Sequence, residues 1–425
     1  MDLIRNEVLR EEIYKEILDN GLEIYVLPKK DYVKQFAIFA TRYGSIDNDF
    51  ILPDKNERIK VPDGIAHFLE HKLFEEEEGN VFDRFTKNGA NANAYTSFTL
   101  TAYLFSCTYN FYENLKILLN FVSRPYFTEE SVKKEIGIIE QEINMYKDDP
   151  NWRVFFNILD CLYVNHPVKI DIAGTVDSIK KINKDLLYKC YNTFYNPNNM
   201  VLFVVGNVNP ERVVEESRNM IIKEGKAKIK RFYPEEPESI NRDFIEDKMM
   251  VAEPLMYLGY KDISAYKGSR ELLKRIITTN ICLELLIGKS SKLYNDLYNE
   301  GLITSNFDFE YTGEIGYGYT LIGGEVSDPI RVSERIKKGV SVLVKEGIDG
   351  SDFERIKKKL YGSFVRSFNS IDAIAHNFIS FYMKDIFIFD YISAINDITA
   401  QDVLERFQTH FKDENSALSV ITPLK

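Results

Sequence analysis

The chain has 425 residues, of which 44% are hydrophobic and 28% charged, and this composition is typical of a folded, water-soluble protein with two domains. Its net charge of −11 argues against a nucleic-acid-binding protein, because phosphate binding needs clustered positive charge. No segment has the uninterrupted apolar length of a transmembrane helix, and we therefore expect no membrane insertion.

The start of the chain and its cysteines predict a cytoplasmic location. Residues 1–7 carry acidic groups where a secretory signal would carry a basic stretch and an apolar run. The four cysteines, Cys107, Cys161, Cys190 and Cys282, are widely spaced and form no C-x-x-C pair. We interpret them as buried thiols of a reducing compartment.

The pattern of apolar residues predicts that strands and helices alternate in the first half of the chain. Predicted strands cover 23–28, 35–43 and 200–205, with one or two more in 94–106. A predicted helix contains residues 67–71, with start signals at Pro62 and Asp63, and further helices are predicted at 79–88, 111–124 and 128–147.

A similar but fainter order follows a change of composition at 225–246, which is basic and then acidic and proline-containing, as in a solvated linker. Predicted strands then cover 256–260, 306–324 and 417–421, and predicted helices cover 269–286, 328–346, 351–367, 371–386 and 400–411. We therefore predict an α+β fold with two weakly homologous domains, 1–224 and 247–425, joined by the linker 225–246. Each domain is expected to have helices packed on an antiparallel-rich sheet.

The stretch His-Phe-Leu-Glu-His at 67–71 predicts a metal site. On an α-helix His67, Glu70 and His71 share one face, so two imidazoles and a carboxylate converge. Such histidines can also be surface residues or hydrogen-bonded core residues, but the chain has only five histidines, and burying this trio beside apolar neighbours would be costly without a partner. The order is the inverted form of a zinc peptidase motif, with Glu70 as the base.

A hydrolytic zinc site with two histidines needs a third protein ligand, usually a carboxylate. The predicted helix 128–147 carries five glutamates: Glu129, Glu130, Glu135, Glu140 and Glu142. Glu135 and Glu142 are seven residues apart and therefore lie on one face. We expect three apolar residues to flank that face: Ile138, Ile139 and Met145. Glu140 is the competing third ligand, whereas Glu129 and Glu130 are expected to be solvated.

These glutamates, the 67–71 motif and the stretch 93–96 together resemble the pitrilysin/insulinase family of zinc peptidases, over essentially the whole chain. The shorter bacterial members related to mitochondrial processing peptidase are the most similar subgroup. The resemblance implies one zinc ion per chain, bound by His67, His71 and Glu142. It further implies that Glu70 is the general base and that Glu135 is an outer carboxylate that orients the site.

The same resemblance assigns the segment 94–105 to an exposed strand edge. An extended peptide would add to this edge and bond to the main chain of Asn93, Ala94 and Tyr95. Without the resemblance, an ordinary aromatic-rich strand inside a sheet explains the segment equally well. The implied activity is that of a zinc-dependent endopeptidase acting on extended peptides or short unfolded segments.

One departure from the family concerns substrate binding. Active members carry an Arg and a Tyr in the C-terminal half, but Leu297 and Thr304 occupy the matching positions here. We therefore expect this chain to be the catalytic subunit of a dimeric, clam-shell chamber, in which a homologous partner subunit supplies the Arg/Tyr pair. In a homodimer, Tyr298, Tyr311 or Tyr317 could substitute. The alternative function is that of a non-catalytic scaffold, against which the intact Glu70 argues.

Overall fold

The structure is a computed structural model that describes residues 1–53, 55–77, 79–221, 224–225, 229–263 and 269–424. Within these residues, strands and helices alternate along the chain. The strands are β1 Asp2–Asn6, β2 Glu11–Ile17, β3 Glu23–Pro28, β4 Gln35–Thr41, β5 Asp49–Leu52, β6 Glu57–Lys60, β7 Glu75–Glu76, β8 Gly79–Asn80, β9 Ala90–Thr96, β10 Thr101–Cys107, β11 Met200–Gly206, β12 Phe244–Met249, β13 Leu255–Lys261, β14 Asp308–Gly313, β15 Gly318–Glu325 and β16 Ser416–Pro423.

The helices occur in groups between these strands. They are α1 Ile65–Leu73, α2 Val81–Lys87, α3 Phe111–Ser123, α4 Glu129–Lys147, α5 Pro150–Leu162, α6 Val176–Ile179, α7 Lys184–Phe194, α8 Pro210–Met220, α9 Ser269–Ile287, α10 Lys292–Asn299, α11 Pro329–Glu346, α12 Gly350–Ser367, α13 Ile371–Tyr382, α14 Asp390–Asp397 and α15 Ala400–His410. These described helices lack the combination of length and apolar character that a membrane crossing needs.

The chain forms two compact units, and each unit takes segments from both halves of the sequence. The first unit contains Met1–Ile143, Ile170–Tyr233 and Val365–Met383. The second unit contains Asn144–Lys169, Pro234–Phe364 and Lys384–Lys425. The chain crosses from the first unit to the second between Tyr233 and Pro234, inside the predicted linker 225–246. Residues 226–228 of this linker lie outside the described residues. The contiguous boundaries 1–224 and 247–425 stay a prediction about domains.

Each unit is built on one large sheet with helices packed on it, as the α+β prediction required. The first sheet has the order β1-β2-β3-β11-β4-β10-β9, and the second has the order β12-β16-β13-β15-β14. Adjacent strands are antiparallel except for two parallel pairs, β3 with β11 and β12 with β16. The mixed α/β, two-sheet fold class is therefore confirmed.

The strand β11 is central in the first sheet because its sequence is apolar throughout. All seven of its residues are buried, between β3 on one side and β4 on the other. A continuous apolar run is typical of a strand that is covered on both faces. The strand β10 is also interior, since it pairs with β4 and with β9, whereas β9 lies at an edge of the sheet. The predicted edge 94–105 is therefore wrong for the residues that belong to β10.

The helix α13 covers part of the first sheet although it comes from the C-terminal half of the sequence. Its Phe378 ring stacks on Phe203 of β11 with ring centroids 4.1 Å apart. Arg42 donates to the carbonyls of Tyr382 and Met383, 2.7 Å from each, and so satisfies the last carbonyls of the helix. The second unit uses α5 in the same way, against β13 and β16.

The described part of the predicted linker makes specific contacts inside each unit. In the first unit, Tyr233 donates to the buried carboxylate of Asp47 at 2.7 Å, and Arg231 pairs with the same group at 3.0 Å. In the second unit, Glu236 accepts main-chain N–H bonds from residues 164–166 and pairs with the buried Lys261. A segment with partnered charges of this kind is packed against the protein rather than solvated.

Candidate metal centre

The helix α1 carries the predicted metal motif and begins after a glycine that no other residue could replace without strain. Gly64 has a φ of 88°, and a side chain there would place its Cβ 2.3 Å from the carbonyl oxygen of Ala173. The predicted start signals Pro62 and Asp63 lie just before this turn. Phe68 and Leu69 are fully buried, and their burial fixes which face of α1 meets the core.

The two histidines of α1 converge with Glu142 of α4. His67 Nε2 lies 3.7 Å from Glu142 Oε1, and His71 Nε2 lies 3.6 Å from Glu142 Oε2. These distances are too long for hydrogen bonds. They are close to the about 3.3 Å that separates two ligands of a tetrahedral zinc ion at ordinary bond lengths. Among the described residues, this is the set of three His, Cys, Asp or Glu side chains whose ligand atoms lie within 4.8 Å of one another.

The helix α4 presents Glu135 and Glu142 on one face, as its sequence period predicted. Three buried residues accompany them: Val132, Ile139 and Ile143. Ile138 and Met145 flank this face on its solvent side, with side chains 44% and 61% exposed, so the partly buried surroundings expected from them are absent there. On a helix these two residues lie on the side of the carboxylates that is turned away from Ile139 and Ile143.

The competing ligand Glu140 lies outside the cluster. Its carboxylate pairs with Lys180 at 3.2 Å, on the surface. Glu135 is instead almost fully buried, and its Oε1 lies 3.0 Å from Nδ1 of His71. A bond to Nδ1 fixes the ring so that Nε2 faces Glu142, which is how outer carboxylates orient histidine ligands in metal sites.

The protonation states of the cluster suit a cation. Burial lowers the pKa of His67 to about 3, so this imidazole is neutral and has a free lone pair. Burial also lowers the pKa of His71. Its bond to Glu135 and the charges of Glu70 and Glu142 outweigh that effect, so the pKa of His71 is raised overall. Three carboxylates around one imidazole therefore create a negative potential that a divalent ion would neutralise.

Glu70 lies next to this cluster without being one of its three converging ligands. Burial raises the pKa of its carboxyl, and the charge of Glu142 adds to this effect, whereas bonds from Thr96 and the charge of His71 lower it. Thr96 Oγ1 donates to Glu70 Oε2 at 2.8 Å. The sequence pattern alone predicts no role for Thr96, although Thr96 ends the stretch 93–96 that resembles the family. The donor set of two imidazoles and one carboxylate, with a further carboxylate beside it, fits a catalytic zinc ion.

Comparison with known proteins places these residues in a family. Residues 59–176 match the model of the insulinase family, peptidase family M16, and residues 181–360 match the model described as the peptidase M16 inactive domain. A Bacillus subtilis protein named uncharacterized zinc protease YmfH is 46% identical over 425 residues, which is 99% of each chain. The chain belongs to peptidase family M16.

Solved structures agree with this membership. A crystal structure described as an M16-like peptidase from Alicyclobacillus acidocaldarius is 36% identical, covers 97% of this chain and 99% of its own, and has a TM-score of 0.94. A protease from Helicobacter pylori is 22% identical, covers 97% and 100% of the two chains, and has a TM-score of 0.82, which shows the shared fold. The α1 motif lies in the segment that matches the M16 peptidase model.

The edge strand β9 is the M16 element that the sequence assigned to substrate. The N–H of Ala94 is bonded to the side-chain oxygen of Asn93 at 2.9 Å, and therefore points away from β10. The Tyr95 ring lies against His376 of α13, with ring centroids 5.8 Å apart. Asn93, Ala94 and Tyr95 are thus all present at the edge, and their binding of substrate stays a prediction.

Replacement of Glu135 tests whether the outer carboxylate supports the M16 metal site. We expect E135Q to lower zinc affinity about 10- to 100-fold, because His71 loses the charge that holds its ring. Competition with a zinc chelator of known affinity measures the effect. The E130Q variant is the control, since Glu130 is exposed in the first turn of the same helix. Equal affinities of E135Q, E130Q and the wild type would contradict the assigned role of Glu135.

Proposed function

We propose that this chain is a zinc-dependent endopeptidase of the cytoplasm that hydrolyses extended peptides or short unfolded segments. The observation that carries the proposal is the convergence of His67 Nε2, His71 Nε2 and Glu142 at 3.6 and 3.7 Å, with the buried carboxyl of Glu70 beside them. A structural metal site needs no such base, whereas a hydrolytic site does.

The residues of the site have two separate roles in hydrolysis, metal binding and proton transfer. His67, His71 and Glu142 would hold one zinc ion, which when bound supplies a Lewis acid and activates water at neutral pH. Glu70 takes the proton of the attacking water and later delivers it to the leaving amine. Its raised pKa suits both steps, because a carboxylate that binds a proton more tightly is the better base.

The peptide is held by addition to the free edge of β9. In an antiparallel edge strand, the main-chain groups of alternate residues face away from the sheet. The outward N–H of Ala94 therefore offers a bond to a peptide, which would displace the side chain of Asn93. By the same alternation, the main chain of Asn93 and Tyr95 faces β10, so these two residues contribute side chains. Recognition led by the main chain tolerates many sequences.

A homologous partner subunit is proposed to complete the substrate site. Leu297 is fully buried in α10 and has no charge with which to hold a substrate. Two of the three tyrosines that could substitute are engaged within the second unit. Tyr311 donates to Asp262 at 2.7 Å, and the Tyr317 ring lies 4.9 Å from that of His166. Tyr298, 50% exposed, is the remaining candidate for a homodimer.

Cleavage of a peptide mixture tests both parts of the proposal. The full chain, loaded with one zinc ion, is incubated with and without a homologous M16 chain that carries the Arg/Tyr pair, and the products are identified by mass spectrometry. We expect zinc-dependent endoproteolytic products and a large increase in rate with the partner. Equal rates would remove the heteromeric proposal, and no hydrolysis in either mixture would favour the non-catalytic scaffold.

A further inference from the structure

The carboxyl of Glu70 is bonded to both the side chain and the main chain of Thr96. Oε2 accepts the hydroxyl hydrogen bond of Thr96 at 2.8 Å, and the main chain of Thr96 also bonds to the same carboxyl. The side chain of Glu70 is only 8% exposed, so both bonds lie in a buried environment. Thr96 therefore restricts the orientation of the Glu70 carboxyl.

The direction of the Thr96 hydroxyl follows from the neighbouring hydroxyl. Thr101 is paired with Thr96 across β9 and β10, and its Oγ1 donates to the carbonyl of Tyr43 at 2.8 Å. A hydroxyl has one hydrogen, so Thr101 has none left for Thr96, whose Oγ1 lies 3.3 Å away. The Thr96 hydrogen goes to Glu70, because a nearby charged acceptor forms the stronger bond.

The turn that follows Thr96 is hydrogen-bonded and closely packed. The turn after β9 is closed by the bond from Ser97 N to Leu100 O, 2.8 Å. The loop 43–47 packs beneath this turn so closely that a Cβ on Gly44 would lie 2.3 Å from the main chain of Phe98. The N–H of Gly44 in turn donates to the buried Asp47 at 2.9 Å. A residue held in this way can fix a partner's position.

Thr96 also lies at the end of the free edge. It is two residues after Ala94, so its main-chain N–H faces the same outward direction as the N–H of Ala94. The main-chain N–H of Thr96 is bonded to the carboxyl of Glu70, so it is not available to a peptide. A peptide that adds along β9 therefore reaches Glu70 at the point where the strand ends.

We propose that Thr96 is a positioning residue for Glu70, whose carboxyl it holds at the end of the β9 edge, next to the passing peptide bond. The inference rests on the proposed peptidase function. Loss of the hydroxyl frees the carboxyl to rotate, and a misplaced base slows proton transfer while peptide binding along β9 is retained.

The test compares T96V, which keeps the side-chain volume, with T96S, which keeps the hydroxyl, in the full chain loaded with one zinc ion. We expect T96V to lower kcat about 10- to 100-fold with KM changed by less than about threefold, since an error of 1 Å in a catalytic group can cost 100-fold. T96S should restore most of kcat. Zinc affinity should be unchanged in both, and a crystal structure of T96V should show the Glu70 carboxyl rotated.

The control is T312V in the second unit. Thr312 donates to Glu310 at 3.3 Å on the edge strand β14, so the same type of bond is removed at a residue to which no role is assigned. Wild-type kcat and an unmoved Glu70 in T96V would overturn the inference, as would a loss in T96S equal to that in T96V. T96S remains decisive if T96V fails to fold. A wild-type chain without activity would instead overturn the proposed function.

Discussion

The E70Q variant is expected to bind zinc with the affinity of the wild type and to hydrolyse peptides at least about 100-fold more slowly, because general acid–base catalysis contributes 10²- to 10⁴-fold. Glutamine keeps the size of the side chain and can still accept the Thr96 hydroxyl bond. An amide cannot take up a proton near neutral pH, however, so the attacking water loses its base. Steady-state rates on a fluorogenic peptide, together with metal analysis of the same sample, measure both effects.

The control for E70Q is E113Q, which removes a charge from the exposed start of α3. This variant should match the wild type in zinc content and in rate. The comparison also separates the two candidate functions. If E70Q and the wild type hydrolyse peptide at the same low rate, the chain has no base-dependent activity, and the scaffold function is the better account.

The E142Q variant is expected to lose zinc. Removal of an outer partner such as Glu135 costs about 10- to 100-fold in affinity, and loss of a ligand charge should cost at least the upper end of that range. Glu142 contributes the single carboxylate that lies 3.6 and 3.7 Å from the two imidazoles. Without its charge, two neutral rings remain, and they bind zinc weakly. Equilibrium zinc titration against a chelator measures the loss, and peptide hydrolysis should fall with it.

The matched control is E140Q on the same helix. Glu140 pairs only with Lys180 at the surface, and such a pair contributes about 0–1 kcal/mol to stability. We expect E140Q to bind zinc as the wild type does. The opposite outcome, in which E140Q loses zinc and E142Q keeps it, would show that the third ligand was assigned to the wrong glutamate.

Local sequence patterns predicted the parts of the site that depend on helical period. The spacing 67, 70 and 71 placed three groups on one face of α1, and the spacing 135 and 142 did so on α4, because a helix of known register fixes both. The contact between α1 and α4 depends on long-range packing. The family resemblance implied this contact, whereas the helical period of each segment did not. The exposure of Ile138 and Met145 was mispredicted for the same reason.

Other helices carry local sequence signals that mark where they begin. The helix α5 begins with Pro150 after an Asp149 N-cap whose side chain accepts from residues 151 and 152, and α10 begins after the Ser291 N-cap. The strand β1 had no such signal, because its residues alternate between exposed and half-buried and bury no apolar face. Its pairing with β2 is therefore decided by the hairpin rather than by hydrophobic pattern.

The exchange of helices between the units has no counterpart in local sequence. The apolar face of α13 predicts a packed helix, but not that Phe378 stacks on Phe203, 175 residues earlier in the chain. The same limit applies to β9 and β10. In β9 only Tyr95 and Thr96 are strand-forming residues, whereas β10 has more of them, and pairing with β4 decides that β10 is the interior strand. The contact of Thr96 with Glu70 depends on that arrangement.

Anomalous diffraction at the zinc edge, from crystals of the full chain grown with zinc, tests whether His67, His71 and Glu142 together bind a zinc ion. We expect one strong peak per chain, about 2.0–2.2 Å from Nε2 of His67, Nε2 of His71 and a carboxylate oxygen of Glu142. A peak at another set of residues, or a zinc ion held by the histidines with Glu142 turned away, would contradict this expectation.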